Sequence, residues 1–157
     1  MYHAPLKDLL FVLHRQLCVQ QLAAWPLYAE YAPDVSESIL EEAGKFASEI
    51  LEPLNRVGDR EGAKWSPQGV TTATGFRAAY QRYVSDGWPL LGVDAVHGGQ
   101  GAPLALATAV EEIWFGANVA FMLCPQLGRG AVEALALAPI ATSPRAMTTG
   151  SFSQKRF

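Results

Sequence analysis

The fold is decided by the stretch DVSESILEEAGKFASEIL, residues 34–51, which has the clearest helical pattern in the chain. Its apolar residues recur three and four positions apart, the spacing that lines one face of an α-helix. They are Ile39, Ala43, Phe46 and Ile50, flanked by Leu40, Ala47 and Leu51. Most of the charged residues, namely Glu41, Glu42, Lys45 and Glu49, lie outside this stripe. The pattern predicts an amphipathic helix that buries one face.

Both ends of this helix carry signals of their own. Asp34 is followed three residues later by Glu37, which resembles a capping box for the free amides of a first helical turn. Pro53 lacks the amide that a continuing helix needs, so we expect the helix to end there. The glycines, proline and charges of residues 55–69 predict a loop.

Working outward, we predict four further helices. They cover residues 6–24, ended by Trp25-Pro26; residues 74–86, with Gly87 suited to a left-handed C-cap; residues 103–115, with Pro103 in the first turn; and residues 127–137. Residues 118–123 fit either a helix or a linker, and residues 138–149 read as loop or disorder. Because strand signals are few, the predicted fold is all-α, a bundle of about five helices. Its parts are a leader with one helix (residues 1–33), a helical domain (residues 34–137) and an atypical tail (residues 138–157) that is loop or the start of a further helix.

Composition excludes several classes of protein. The 157 residues suit one domain, and 12 basic against 15 acidic residues give a net charge of −3, which argues against nucleic acid as a partner. No apolar run approaches the ~20 residues of a membrane span, and the first residues lack a signal-peptide pattern. Cys18 and Cys124 are far apart, so we expect two small buried hydrophobes rather than a disulfide. Cytoplasm is the predicted location.

No motif in the chain predicts catalysis by itself. The histidines His3, His14 and His97 lack metal-ligand spacing, so no metal is expected. Glu111 and Glu112 are neighbours and cannot share a proton across one cleft, since adjacent residues of a helix face different ways. The segment Gly98-Gly99-Gln100-Gly101 has no lysine for a phosphate and favours a turn. Packing against a ligand or a neighbouring domain, and direct contact with an anion, are the alternatives. Four aromatic residues fit either a core or a cavity wall: Trp88, Trp114, Phe115 and Phe121.

Read in order, however, a series of short segments resembles one family. They are Tyr2-x-Ala4-Pro5-Leu6-x-Asp8-x-x-Phe11-x-Leu13, then residues 39–46, Pro53-Leu54-Asn55-Arg56-x-Gly58-Asp59, Gly75-Phe76-x-x-Ala79-Tyr80, Gly87-Trp88, residues 98–101, Ala117-Asn118-x-Ala120-Phe121, and Gly130-Ala131-x-Glu133-Ala134-Leu135. Their order and spacing over residues 2–137 resemble the N-terminal helical domain of acyl-CoA dehydrogenases, in the long subclass that includes the methylthiopropanoyl-CoA dehydrogenase type. After Leu137 the chain departs from this pattern, although Gly150-Ser151-x-x-Gln154-Lys155 is similar to the family's next helix start.

The resemblance implies a truncated part of a larger flavoenzyme. In that family FAD binds between a middle β-domain and a C-terminal helical bundle, a glutamate removes the α-proton of an acyl-CoA thioester, and electrons pass to an electron-transfer flavoprotein. The base is therefore expected beyond Phe157, neither Glu111 nor Glu112 replaces it, and this chain alone should neither hold FAD tightly nor oxidise acyl-CoA. A homo-oligomer or a partner chain is expected to cover an exposed apolar face.

The resemblance also places one wall of the acyl pocket in the segment after the fourth predicted helix. By position its residues are Phe121, Met122, Pro125 and Leu127, whose apolar side chains suit an acyl chain. Core packing alone is the alternative role for these side chains. Two further hypotheses remain at this point: a non-catalytic helical interaction module or truncated gene product that associates with a partner chain, and a small-ligand carrier.

Overall fold

The computed structural model describes residues 2–137, and this part of the chain is a bundle of α-helices. The helices are α1 (Leu6–Phe11), α2 (Pro33–Phe46), α3 (Glu52–Glu61), α4 (Phe76–Ser85), α5 (Leu104–Ala117) and α6 (Val119–Leu137). A small antiparallel hairpin pairs β1 (Lys64–Ser66) with β2 (Gly69–Thr71). Within these residues there are six helices where the sequence predicted about five, and the all-α fold class is confirmed. The predicted tail, residues 138–157, lies outside the described residues.

The decisive stretch is helical and buries one face, as predicted. Leu40, Ala43, Phe46, Ala47 and Leu51 are buried and pack mainly against α5. Ile39 and Ile50, which the pattern placed in the middle of the stripe, are only half-buried at its edges. The buried face is therefore rotated slightly from the predicted one, toward the flanking residues.

The prediction that this helix ends at Pro53 is wrong. A π-helical turn, Ala47–Leu51, follows α2, and the amide of Glu52 bonds the carbonyl of Ala47 five residues back. Pro53 then stands in the first turn of α3, where its missing amide costs little. Residues 33–61 thus form one continuous helical run, which we call the long helix, and residues 55–61 of the predicted loop are helical.

The predicted cap of this helix is also wrong. The helix begins one residue earlier, at Pro33, with Ala32 as its N-cap and no side-chain cap. Pro33 suits the first helical position because its missing amide would have had no partner within the helix. The carbonyl of Asp34 instead accepts a bond of 2.9 Å from Ser38 Oγ.

The predicted helix 6–24 is broken. After α1 comes a second π-helical turn, Val12–Gln16, and then Cys18 adopts a left-handed conformation with φ of 51°. A 3₁₀-helix, Val19–Ala24, completes the segment, which ends at Trp25 as predicted. The side chain of Gln20 donates a 3.0 Å bond to the carbonyl of His14. In a continuing helix, a backbone amide would have donated to this carbonyl.

Two further element predictions have different outcomes. Gly87 is left-handed, with φ of 80°, and its amide bonds the carbonyl of Val84, which confirms the predicted C-cap of α4. The last helix was predicted to begin at Leu127, but α6 begins at Val119 and contains Pro125. Residues 118–123, which fitted helix or linker, are therefore mostly helix.

Two buried side chains join α5 and α6 to the long helix. Trp114 Nε1 donates a 3.0 Å bond to the carbonyl of Ala43. Asn118, fully buried between α5 and α6, donates from Nδ2 to the carbonyl of Leu51 at 3.0 Å and accepts at Oδ1 from the amide of Phe121 at 3.0 Å. Asn118 therefore caps α6 and fixes its start against the π-helical turn.

Replacing Asn118 with Ala should destabilise the fold strongly. The change leaves the buried carbonyl of Leu51 without this donor and removes the cap of α6, for a total cost of about 2–4 kcal/mol. Urea unfolding followed by circular dichroism measures the free energy of unfolding. Asn55→Ala, at an exposed position of α3, is the control and should cost less than about 1 kcal/mol. Equal losses for the two variants would contradict this role of Asn118.

Candidate functional site

The predicted wall residues all lie on α6, but they do not share one surface. Phe121 packs in an aromatic cluster, with its ring centroid 6.1 Å from that of Tyr83 and 6.3 Å from that of Phe76. Met122 is only 1% exposed and Pro125 is also buried. Leu127, in contrast, is 75% exposed. The structure therefore brings Phe121 and Met122 into the core and leaves Leu127 on the surface.

Leu127 belongs to an apolar ridge that the sequence analysis missed. Val119 and Leu123 precede it at intervals of four residues, and all three are more than half exposed. We call Val119, Leu123 and Leu127 the α6 ridge. Residues four apart lie along one line of a helix, so the ridge is a continuous apolar strip. The spacing was visible in the sequence, but it had no meaning until α6 was known to begin at Val119.

The aromatic residues considered as a cavity wall are mainly core. Trp114 is buried, and its ring meets Trp88 edge-on at 4.9 Å and Phe46 at 5.8 Å. Phe115 is half-buried against the same core. Packing among aromatic side chains accounts for these positions.

A small charged cluster lies between α5 and α6. Arg129 Nε is 3.0 Å from Glu111 Oε1 and 3.5 Å from Glu133 Oε1. The side chains of Arg129 and Glu111 are 27% and 17% exposed, whereas Glu112 faces solvent, as expected for its neighbour on a helix. The N–H of Arg129 Nε does not point along a hydrogen bond, so the attraction to Glu111 is mainly coulombic.

Burial dominates the electrostatics of this cluster. Removal from water raises the pKa of Glu111, the guanidinium of Arg129 lowers it less, and Glu133 adds a smaller increase. Burial also raises the pKa of Tyr83, and the nearby charge of Glu111 adds to that increase. Glu111 is thus paired with Arg129 between α5 and α6.

The glycine segment 98–101 forms a closed turn. The amides of Gly99, Gln100 and Gly101 bond the carbonyls of Asp94, Leu90 and Val93, at distances of 2.8–3.1 Å. Tyr31 donates a 2.6 Å bond to the carbonyl of Gln100. A side chain at Gly99 would collide with the carbonyl of Val93, so only glycine fits. Because these amides already donate to backbone carbonyls, they are not free to bind a phosphate. The structure therefore favours the turn over direct contact with an anion.

The surface also carries two open grooves, neither of them lined by the predicted wall residues. One, of about 500 Å³, lies beside α1 and includes Lys7, His14 and Arg15. The other, of about 600 Å³, lies between α2 and α4 and includes Arg82, Asp86 and Trp88. Both are open to solvent and edged by charged side chains.

Other expectations concern metals, cysteines and membranes. Within residues 2–137, no three His, Cys, Asp or Glu side chains come together as a metal site. Both cysteines are free; Cys18 is half-buried, but Cys124 is exposed, so the expectation of two buried hydrophobes is wrong for Cys124. Cys124 stands on a face of α6 that nothing in the described chain covers. None of the helices described is both long enough and apolar enough to cross a bilayer.

Comparison with known proteins shows what the chain resembles. It is 36% identical over 156 residues to the 3-methylmercaptopropionyl-CoA dehydrogenase of Ruegeria pomeroyi. The match covers 99% of this chain and 25% of that protein, so the chain spans about a quarter of the length of this relative. No protein-family model matches the chain. The chain is therefore similar to about a quarter of this dehydrogenase, which confirms the resemblance found in the sequence.

The raised pKa of Glu111 makes a prediction about stability and pH. A carboxyl whose pKa is higher in the folded than in the unfolded chain stabilises the fold when protonated. That contribution is present below the ordinary value of 4.5 and is lost as pH rises through the raised pKa. As the pH rises from 4.5 through the raised pKa, the wild type should therefore lose stability relative to Glu111→Gln. The quantity compared is the free energy of unfolding of the two proteins. Urea unfolding at a series of pH values measures this difference.

The exposed neighbour Glu112 provides the control for this experiment. Glu112→Gln makes the same substitution at an exposed side chain of the same helix and measures the effect of the substitution itself. If the wild type instead gains stability relative to Glu111→Gln over the same pH range, the charge of Arg129 affects the pKa of Glu111 more than burial does.

Proposed function

We propose that this chain, as a relative of acyl-CoA dehydrogenases, is the N-terminal helical domain of an FAD-dependent enzyme that α,β-dehydrogenates acyl-CoA thioesters. The observation that carries the proposal is the 36% identity over 99% of the chain. The all-α bundle supports it. FAD, when bound to the complete enzyme, would accept the hydride from the β-carbon. The catalytic base would come from another part of the enzyme, and an electron-transfer flavoprotein in the cytoplasm would accept the electrons.

In this proposal, α6 supplies one wall of the acyl pocket. Leu127, at 75% exposed, is the predicted wall residue that offers its side chain directly to a ligand. Phe121, Met122 and Pro125 would act from beneath, because their packing fixes the position of α6. The α6 ridge adds Val119 and Leu123 to the apolar surface available to the acyl chain or to a neighbouring domain.

The chain by itself should not be a dehydrogenase. The two grooves are open, and Glu111 is engaged by Arg129, so flavin, base and thioester cannot be held together by these residues alone. Purified chain mixed with FAD and an acyl-CoA series should give no acyl-CoA-dependent reduction of an electron-accepting dye. Turnover by the pure polypeptide would contradict the proposal that this chain is only one part of the enzyme.

The contribution of Leu127 is tested in the complete enzyme that contains this chain. Leu127→Ala removes apolar contact with the acyl chain and should raise KM for the preferred acyl-CoA about three- to tenfold with little effect on kcat. Leu135→Ala, at another exposed apolar position of α6, is the matched control and should leave KM unchanged. Equal changes in KM for the two variants would contradict the proposal that Leu127 lines the acyl pocket.

A second candidate function is a helical interaction module that associates with a partner chain or a second copy. The exposed α6 ridge favours it, and so does the cross-strand pair Trp65 and Val70 on the hairpin, where Trp65 is 78% exposed. Light scattering on the purified chain distinguishes the two cases. A concentration-dependent rise in mass would support association, whereas a monomer that binds no hydrophobic dye would count against it. Saturable binding of acyl-CoA to the isolated chain would instead support a ligand carrier.

A further inference from the structure

The second half of α6 is mostly exposed to solvent. We call residues 126–137 the distal arm. The structure describes the side chains of residues 126–136, and all of them are exposed except that of Arg129. Leu127 and Leu135 are 75% and 61% exposed and Val132 is 44% exposed, so the arm buries little apolar surface of its own. Apolar packing, which holds most helices in place, therefore contributes little to its position.

The backbone is weakened where the distal arm begins. Pro125 lies inside α6 and cannot donate to the carbonyl of Phe121, so one bond of the helical ladder is missing there. Gly128 and Gly130 follow within five residues, and a side chain at either would meet nothing within 4 Å. Glycines in a helix interior reduce its stability. The first half of α6, in contrast, is held by the cap from Asn118 and by buried Phe121 and Met122.

One described side-chain interaction ties the distal arm to the rest of the bundle. Arg129 Nε approaches Glu111 Oε1 of α5 at 3.0 Å, while its other partner, Glu133, belongs to the arm itself. The guanidinium and carboxylate are both largely buried, so removing one of them leaves the other poorly solvated and without its opposite charge.

We propose that the Glu111–Arg129 ion pair is a latch that holds the distal arm against α5, and that the arm detaches as a unit at Pro125 when the pair is broken. Detachment lets the remaining charge reach water, and it costs few apolar contacts because the arm makes few. The first half of α6 stays in place, since its contacts do not involve Arg129. This inference does not depend on the proposed function.

Amide hydrogen exchange on the full chain, read by residue, tests the latch. Arg129→Met leaves Glu111 buried without its partner, and exchange in the distal arm should rise roughly tenfold while exchange in residues 119–124 stays unchanged. The double variant Arg129→Met with Glu111→Gln also lacks the ion pair, so exchange in the arm should again rise roughly tenfold. The buried segments of α2 and α5 report in the same data whether each variant is folded.

Arg77→Met is the matched control, because it makes the same change at an exposed position of α4. It should leave the distal arm at the wild-type rate. The latch is refuted if Arg129→Met leaves exchange in the arm unchanged, if it accelerates the whole of α6 equally, or if the double variant exchanges at the wild-type rate.

Discussion

Asn118 is the residue on which the arrangement of this bundle depends. It is fully buried, and its two polar atoms bond different elements: Nδ2 bonds the carbonyl of Leu51 in the long helix, and Oδ1 accepts from the amide at the start of α6. With Trp114, which bonds the carbonyl of Ala43, it fixes α5 and α6 against the long helix at two points about two turns apart. A buried polar group without partners is costly, so alternative registers of these helices are disfavoured.

Much of the fold was predictable because it follows from the spacing of apolar residues. The decisive stretch, α4 and α5 were each found in this way, and Gly87 marked the end of α4. Two of the errors concern proline. Pro53 was expected to end a helix, but it follows a π-helical turn and begins the next helical segment. Pro125 lies before the predicted start of the last helix, but the structure places it inside α6. A π-helical turn is set by contacts from Asn118 and α5, which are remote in sequence and leave no local pattern.

The candidate site was less predictable than the fold. The resemblance pointed to the correct helix, but only the packing separates Leu127 on the surface from Met122 in the core. The start of α6 was missed because residues 119–123 are apolar on every side and give no helical period, although Asn118 just before them is a common capping residue. The pairing of Glu111 with Arg129 requires the sharp turn between α5 and α6, so no spacing rule within one helix could have found it.

We propose that this chain serves as the helical part of an acyl-CoA dehydrogenase. A chimera is the most direct test of this role. Residues 2–137 would replace the matching quarter of the Ruegeria pomeroyi 3-methylmercaptopropionyl-CoA dehydrogenase, and acyl-CoA-dependent dye reduction would be measured alongside the same enzyme lacking that quarter. The account predicts that the chimera folds and oxidises acyl-CoA, whereas the shortened enzyme does not. A folded chimera that binds FAD but oxidises no acyl-CoA would contradict it.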